Sequence, residues 1–323
     1  MDTGQLHNGQ DTPPGSLITR DGQIQWAGAL FGPGTPYQID AKGITGWDDL
    51  PDLETGDVAL PDRHGAWPGA RWAKPRTVSA TVWLLPDTAG QARGTMRGFR
   101  AATVPDGGER WLAVRLHGET LACRARVSRR VVPQDRGYVV QGAARAELQW
   151  VATDPRRFGV REQRAVLRLP QPESGLAWTA PGAPEPGPDT GPEAGLAWPL
   201  DWGTTGSTGT VTAHNSGETA AHPVIEFRGP VHRPSLTRLT DGLRLSYGIT
   251  LAAGEVLTVD TQAGTVVLNG TASRLYTATA RSAPEQLFLL EPGATPLAFR
   301  SGDNGPGPGP GATATVRWRD AHW

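Results

Sequence analysis

With one cysteine, two lysines and two methionines in 323 residues, the chain lacks the means for several whole classes of protein. Cys123 alone cannot build an intrachain disulfide framework or a cysteine-cluster metal site. Its flanks, Leu121-Ala122-Cys123-Arg124-Ala125-Arg126-Val127, alternate as a strand does with sulfur on the apolar side. That pattern reads as a buried structural thiol rather than a nucleophile. No run approaches the roughly 18 apolar residues that a membrane-spanning helix needs. The first ten residues have neither the basic opening nor the apolar core of a signal peptide, so synthesis in the cytoplasm and no membrane are expected. Charge of one sign is lacking too. Residues 1–160 carry 19 Lys+Arg against 17 Asp+Glu, and residues 161–323 carry 12 against 15, giving a formal net charge of -1. Nucleic-acid binding thereby loses its main electrostatic support. Apart from Lys42 and Lys74 the cations are all arginines, which fits either a GC-rich genome or a need for bidentate ion pairs.

The catalytic patterns are missing as well. There is no G-x-S-x-G nucleophile elbow. His7, His64, His117, His214, His222, His232 and His322 show no paired metal-ligand spacing; His214 and His222 stand eight apart across a turn. The Gly-rich stretches lack the Lys-Ser/Thr of a phosphate-binding loop. Glu226, Glu255 and Asp260 qualify for glycosidic cleavage by residue type only. No catalytic, cofactor or metal residue is assigned, and the expectation is a protein that is not an enzyme.

What is present is turn chemistry: 42 glycines and 29 prolines favour short strands over long helices, and the length suits two domains. The alternating run Arg76 to Leu85 predicts a strand, preceded by a long polar segment, roughly 45–75, that carries Pro51, Pro61, Pro68 and Pro75. A loop of that length in a compact domain is usually functional, and reaching a neighbouring subunit is one such use. A helix is predicted over Asp87 to Ala102, capped by Asp87 or Thr88. Strands at 110–117 and 119–132 turn at Gly118, and a further turn at 133–137 leads into a strand at 138–150, an antiparallel meander. Residues 161–207 read as a Pro/Gly-rich linker or arm. About nine short strands then follow between 208 and 319, including one near 286–290, divided by turn signals such as Asn215-Ser216-Gly217, Asn269-Gly270 and Pro292-Gly293. Strands at this spacing are the pattern of a β-sandwich. Gly305 to Gly311 reads as a loop.

The carboxy-terminal half resembles the second domain of the phage distal tail protein family, in its siphovirus-type form. The resemblance rests on an ordered series: His214-Asn215-Ser216-Gly217, Ala221 to Gly229, Gly254 to Asp260, Leu268-Asn269-Gly270, Leu290-Glu291-Pro292-Gly293 and Ala314 to Arg319. The amino-terminal half is similar to the family's ring-forming domain in its order of strand, long arm, strand, helix and meander. Its closing stretch, Leu148 to Phe158, with Asp154-Pro155-Arg156, matches best.

The resemblance implies a mainly β chain with one or two helices. Residues 1–160 would form a split-barrel-like α+β ring domain with its arm at about 45–75, and residues 208–323 a galectin-like sandwich. It implies a structural subunit of the virion. A homo-hexameric ring at the distal end of the tail would join the tail tube protein to the tail-tip or hub protein, with receptor-binding protein as a further partner. DNA and the tape-measure protein would pass through its channel without sequence-specific binding. Rings use heterologous contacts. Arg124, Arg126, Arg129, Arg130 and Arg136 in the meander are the candidates for them, against the alternative that they are the wet face of an antiparallel sheet. A lectin-like module binding cell-wall sugars is the other function class, with Trp202, Tyr247 and Tyr276 as candidate stacking rings.

Overall fold

A computed structural model of the chain describes residues 12–105, 107–171, 206–302 and 311–323. The chain divides into two compact units, Met1–Glu162 with Arg319–Trp323, and Gln163–Trp318.

The first unit is built on one antiparallel sheet. Its strands run in the order Ala29–Phe31, Ile24–Trp26, Arg110–Leu116, Glu119–Val131, Ala144–Ala152, Arg76–Leu84 and Tyr37–Thr45. Glu119–Val131 is long enough to serve two partners in succession. Its first half pairs with Arg110–Leu116 and its second with Ala144–Ala152. At Leu121 and Ala122 it also meets Arg157–Gly159, which in turn pairs with Ala321–His322. Inward positions alternate along Arg76–Leu84 and Ala144–Ala152, as the pleat requires. They supply Val78, Val82, Leu148 and Trp150 to a core shared with Trp26, Phe31 and Leu112.

The helix Ala92–Ala102 closes that core with Met96 and Phe99. It begins later than the sequence suggests. A single 3-10 turn, Ala89–Gln91, precedes it, and Thr88 makes no side-chain cap. Three side chains satisfy the carbonyls at the helix's other end: Trp26 Nε1 donates to Ala102 at 2.9 Å, Thr103 Oγ1 to Phe99 at 2.7 Å, and Arg130 to Arg100 at 3.1 Å. These are the groups a helix leaves without internal partners.

Further sequence expectations are corrected. Residues 138–150 are not one strand: a short helix, Arg136–Gln141, comes first. Asp135 caps it by accepting from the Tyr138 N–H at 2.9 Å, and Gly142 ends it at φ +74°. The boundaries 161–207 and 208–323 also shift. Gln163–Arg168 is a strand, paired residue for residue with Thr313–Trp318 and burying Ala165 and Leu167. Two outward arginines, Arg164 and Arg168, and its shortness made it read as linker. The last five residues return to the first unit's sheet.

The second unit is a β-sandwich. One sheet orders Gln163–Arg168, Thr313–Trp318, Val224–Arg228, Val256–Asp260, Thr265–Leu268 and Ala272–Ser273; the other orders Thr210–Asn215, Gly293–Arg300, Ser235–Arg238 and Arg244–Ser246. Phe227 packs against Phe299 and Tyr247 at ring separations of 5.8 and 6.0 Å. The strand expected near 286–290 is a 3-10 turn, Glu285–Leu287. Asn269 and Gly270, at φ +50° and +75°, turn the chain between two strands as their side chains permit.

Candidate functional site

The polar segment ahead of Arg76 is a ribbon rather than a loop. Leu53–Thr55 pairs with Arg71–Ala73, and Val58–Ala59 with Ala66–Trp67. Midway, Gly56 donates to the Ala70 carbonyl at 2.9 Å, and Asp57 Oδ1 accepts from the Gly69 N–H at 2.7 Å. A Cβ on Gly69 would lie 2.1 Å from the Gly56 oxygen, so the backbone crossing requires glycine there.

No residue from 52 to 75 is buried. Leu53, Val58, Trp67 and Trp72 are exposed, the two indoles at 54% and 70%. A two-stranded ribbon in water is marginal by itself, and clustered exposed apolar side chains mark contact surfaces. The sequence reading passed over Trp67 and Trp72. Two tryptophans within a stretch otherwise polar and rich in Pro and Gly were the available signal.

Arg76 fastens the segment that leads into this ribbon. The residue is 1% exposed, and its guanidinium donates to the carbonyls of Gly46, Trp47, Asp49 and Pro155 at 2.7–2.9 Å. Loss of water lowers its pKa from the ordinary value, and the charge of Arg157 acts in the same direction. Arg157 itself is held by Asp48 and by the carbonyl of Trp323. One buried cation thus gathers the 46–49 turn and the Pro155 turn around the end of its own strand.

The structure divides the candidate arginines. From Cys123 to Val127 the strand alternates, with Arg124 and Arg126 outward and Cys123 and Ala125 inward. Ser128 is then an extra residue: the register passes from Val127↔Trp150 to Arg129↔Gln149. Such a bulge exchanges the faces beyond it. Arg129 therefore stays outward, while Arg130 points to the core side and donates to the end of the 92–102 helix. Arg136 sits in the first turn of the short helix. The five do not form one group; Arg124, Arg126 and Arg129 do. Arg124 stacks over Trp111 at 5.4 Å, and Arg129 borders a cleft of about 230 Å³ with Lys42, Glu147 and Gln149. Cys123, wholly buried, has its thiol pKa pushed up to about 12 by desolvation, which leaves it unreactive.

The sugar-stacking candidates fare differently. Trp202 lies outside the described residues. Tyr247 is fully buried against Phe227, and its hydroxyl bonds to Glu285 at 3.1 Å, so it has no face to offer a ligand. Burial, and then the Glu285 charge, raise its pKa. Tyr276 is 79% exposed in the turn Leu275–Thr277. The candidate carboxylates are engaged in the fold. Glu226 pairs with Arg317 at 2.7 Å, Glu255 accepts from Ala252, and Asp260 caps the following turn through Gln262 and Ala263. Among the described residues, no three His, Cys, Asp or Glu side chains are grouped so as to hold a metal.

Residues 216–319 match the family model described as siphovirus-type tail component, C-terminal domain. No curated protein matches the chain in sequence. Among solved structures, the Dit (gp 19.1) protein of phage SPP1, described as a paradigm of the hub adsorption apparatus in phages infecting Gram-positive bacteria, aligns at TM-score 0.59 and 12% identity over 92% of this chain and 97% of its own. A chain of the phage P2 baseplate in its activated conformation with calcium aligns at TM-score 0.49 and 8% identity over 92% of this chain and 97% of its own. Residues 216–319 thus match the C-terminal domain of siphovirus-type tail components, and over 92% of the chain the fold is similar to that of the SPP1 Dit protein.

Proposed function

We propose that this protein is the distal tail protein of a long-tailed phage. Six copies close into a ring through the first unit, joining the tail tube protein to the tail-tip hub and leaving a channel for DNA and the tape-measure protein. The match of residues 216–319 to a tail-component domain carries the reading, and the fold of the whole chain supports it. The subunit is made in the host cytoplasm and ends in the virion at the distal tip of the tail. Its second unit is the place for receptor-binding proteins.

Ring closure needs two different faces on each copy. The ribbon bearing Trp67 and Trp72 is the reaching face, and the outward arginines Arg124, Arg126 and Arg129 belong to the receiving one. Tryptophan and arginine are the residues that concentrate at the energetic centres of interfaces, and an indole offers its ring to a guanidinium.

Negative-stain electron microscopy with mass photometry tests this, using the full chain alone and mixed with the tail tube protein. Six-fold rings near six times 34.3 kDa are expected. A chain that stays monomeric in both mixtures sinks the proposal.

A further inference from the structure

At one end of the sandwich's smaller sheet, four arginines converge with no carboxylate among the described residues of the lining. Arg233, Arg244, Arg281 and Arg300 line a cleft of about 680 Å³ together with Ser246 and Thr279. Among the described residues, neither an acidic nor an aromatic side chain lines it. Among the described residues no ion pair engages any of the four. Most arginines in such a density of like charge would be expected to have an acid nearby, because packing four guanidinium groups together is unfavourable unless something negative joins them.

The cleft is built by the fold. Ser235 stands across from Arg300 on one side and from Ser246 on the other. Its hydroxyl accepts from Arg244 Nη2 at 2.7 Å, which fixes that guanidinium. Arg300 Nη1 is held by the carbonyls of Gly209 and Phe299 at 3.1 and 2.7 Å. Arg233 sits at φ +47°, where an L side chain is strained; its N–H is tied to Ile249 and its stem lies against Gly302. Strain kept at a charged cleft is a recurrent mark of a working site.

Two polar atoms in the lining have no partner although water does not reach them: Arg244 Nε and Thr279 Oγ1. Buried donors are nearly always satisfied, so each of these asks for an acceptor.

We propose that this cleft binds the phosphate group of a small phosphorylated ligand. A phosphate carries nearly two charges at neutral pH and has oxygens enough for several guanidinium groups at once; a carboxylate has two oxygens and one charge. Among the described residues of the lining, neutral sugars would find no ring to stack on. The volume suits a ligand of a few sugar or polyol units rather than a lone ion. Free phosphate and a phosphorylated polyol share the recognised group, and the test separates them. The inference is independent of the ring assignment.

Phosphorus NMR and calorimetry on the full chain, with inorganic phosphate, glycerol phosphate and glucuronate, provide the test. Saturable binding of both phosphates is expected, tighter for glycerol phosphate and weakening with added NaCl, with glucuronate weaker than either. The double variant Arg233→Ser/Arg281→Ser changes two exposed side chains, leaves the melting curve in place, and lowers affinity roughly tenfold or more. Arg244→Gln should weaken binding as well. If neither phosphate binds saturably, if the double variant binds as the parent does, or if glucuronate binds as tightly as glycerol phosphate, the proposal fails.

Discussion

The two units lean on arginine differently, although Arg157 in the first also meets Asp48 and Arg238 and Arg300 in the second also reach carbonyls. In the first, Arg76 and Arg130 reach carbonyls far along the chain, and one guanidinium gathers turns that the strands alone would leave apart. In the second, Arg238 and Arg317 pair with carboxylates, Asp241 and Glu226, close by on turns or neighbouring strands. The first unit leaves four large apolar residues of a ribbon exposed, while the second turns Phe227, Tyr247 and Phe299 fully inward. A sandwich whose turns carry Asn, Gly and Pro can be recognised piece by piece from its sequence. A unit fastened by long-range donors to backbone carbonyls cannot, because a carbonyl acceptor carries no residue identity.

The sharpest way to break this contrast is at the centres of the two cores. Trp150→Ala and Phe227→Ala each remove a fully buried ring and should each cost about 3–5 kcal/mol. Hydrogen exchange read by mass spectrometry along a denaturant series reports each unit through its own peptides. Each substitution should lower protection in its own unit; equal loss in both units would mean that they unfold as one.

Arg76→Met comes next. It keeps an apolar stem but strands four carbonyl groups, each of which costs up to about 1–3 kcal/mol if left dry; water entering the gap lowers the sum to roughly 3 kcal/mol. Exchange should quicken first at 46–49 and near Pro155. Unchanged protection there would show that the strands, and not the guanidinium, hold those turns.

How much of this was legible in the sequence follows from the same contrast. Asn215-Ser216-Gly217, Asn269-Gly270 and the alternation in Val256–Asp260 disclosed the sandwich, because turn residues and pleat periodicity act locally. Gln163–Arg168 escaped because it is short, two of its outward positions are arginine, and only Ala165 and Leu167 mark its inner face. The short helix after Asp135 escaped because its two exposed valines, Val139 and Val140, are residues that favour strands; the Asp135 cap and Gly142 decided otherwise. The five arginines read as one series because a bulge at Ser128 leaves no mark in the sequence. The cleft of four arginines was invisible for a simpler reason: its members are spread over 68 positions, from 233 to 300, on strands and turns that only the fold brings together.

The ribbon separates stability from assembly. Trp67→Ser/Trp72→Ser removes two exposed indoles that touch no core, so unfolding should shift by less than about 0.5 kcal/mol. Ring formation, followed by mass photometry, should be lost. Rings that persist in the double variant would move the contact elsewhere on the first unit, and the outward arginines would be the next place to look, with Arg126→Glu/Arg129→Glu as the corresponding change.

The smallest effect belongs to the second unit's local ion pair. Arg238 donates to both oxygens of Asp241, and this hydrogen bonding, reinforced by the Leu243 N–H, holds the Asp241 carboxyl at about 2, below its ordinary 3.8. A depressed carboxyl pKa stabilises the fold above the unfolded value, and that contribution disappears as pH falls through the folded one. The window therefore runs from 3.8 down to about 2. Because the Asp241 side chain is 46% exposed, solvent screening limits the contribution to roughly 0.5 kcal/mol, and high salt should shrink it further. Asp241→Asn should flatten the sandwich's stability against pH within that window and leave the first unit's profile as it was. A slope that survives the substitution would place the acid sensitivity outside the Arg238 and Asp241 pair.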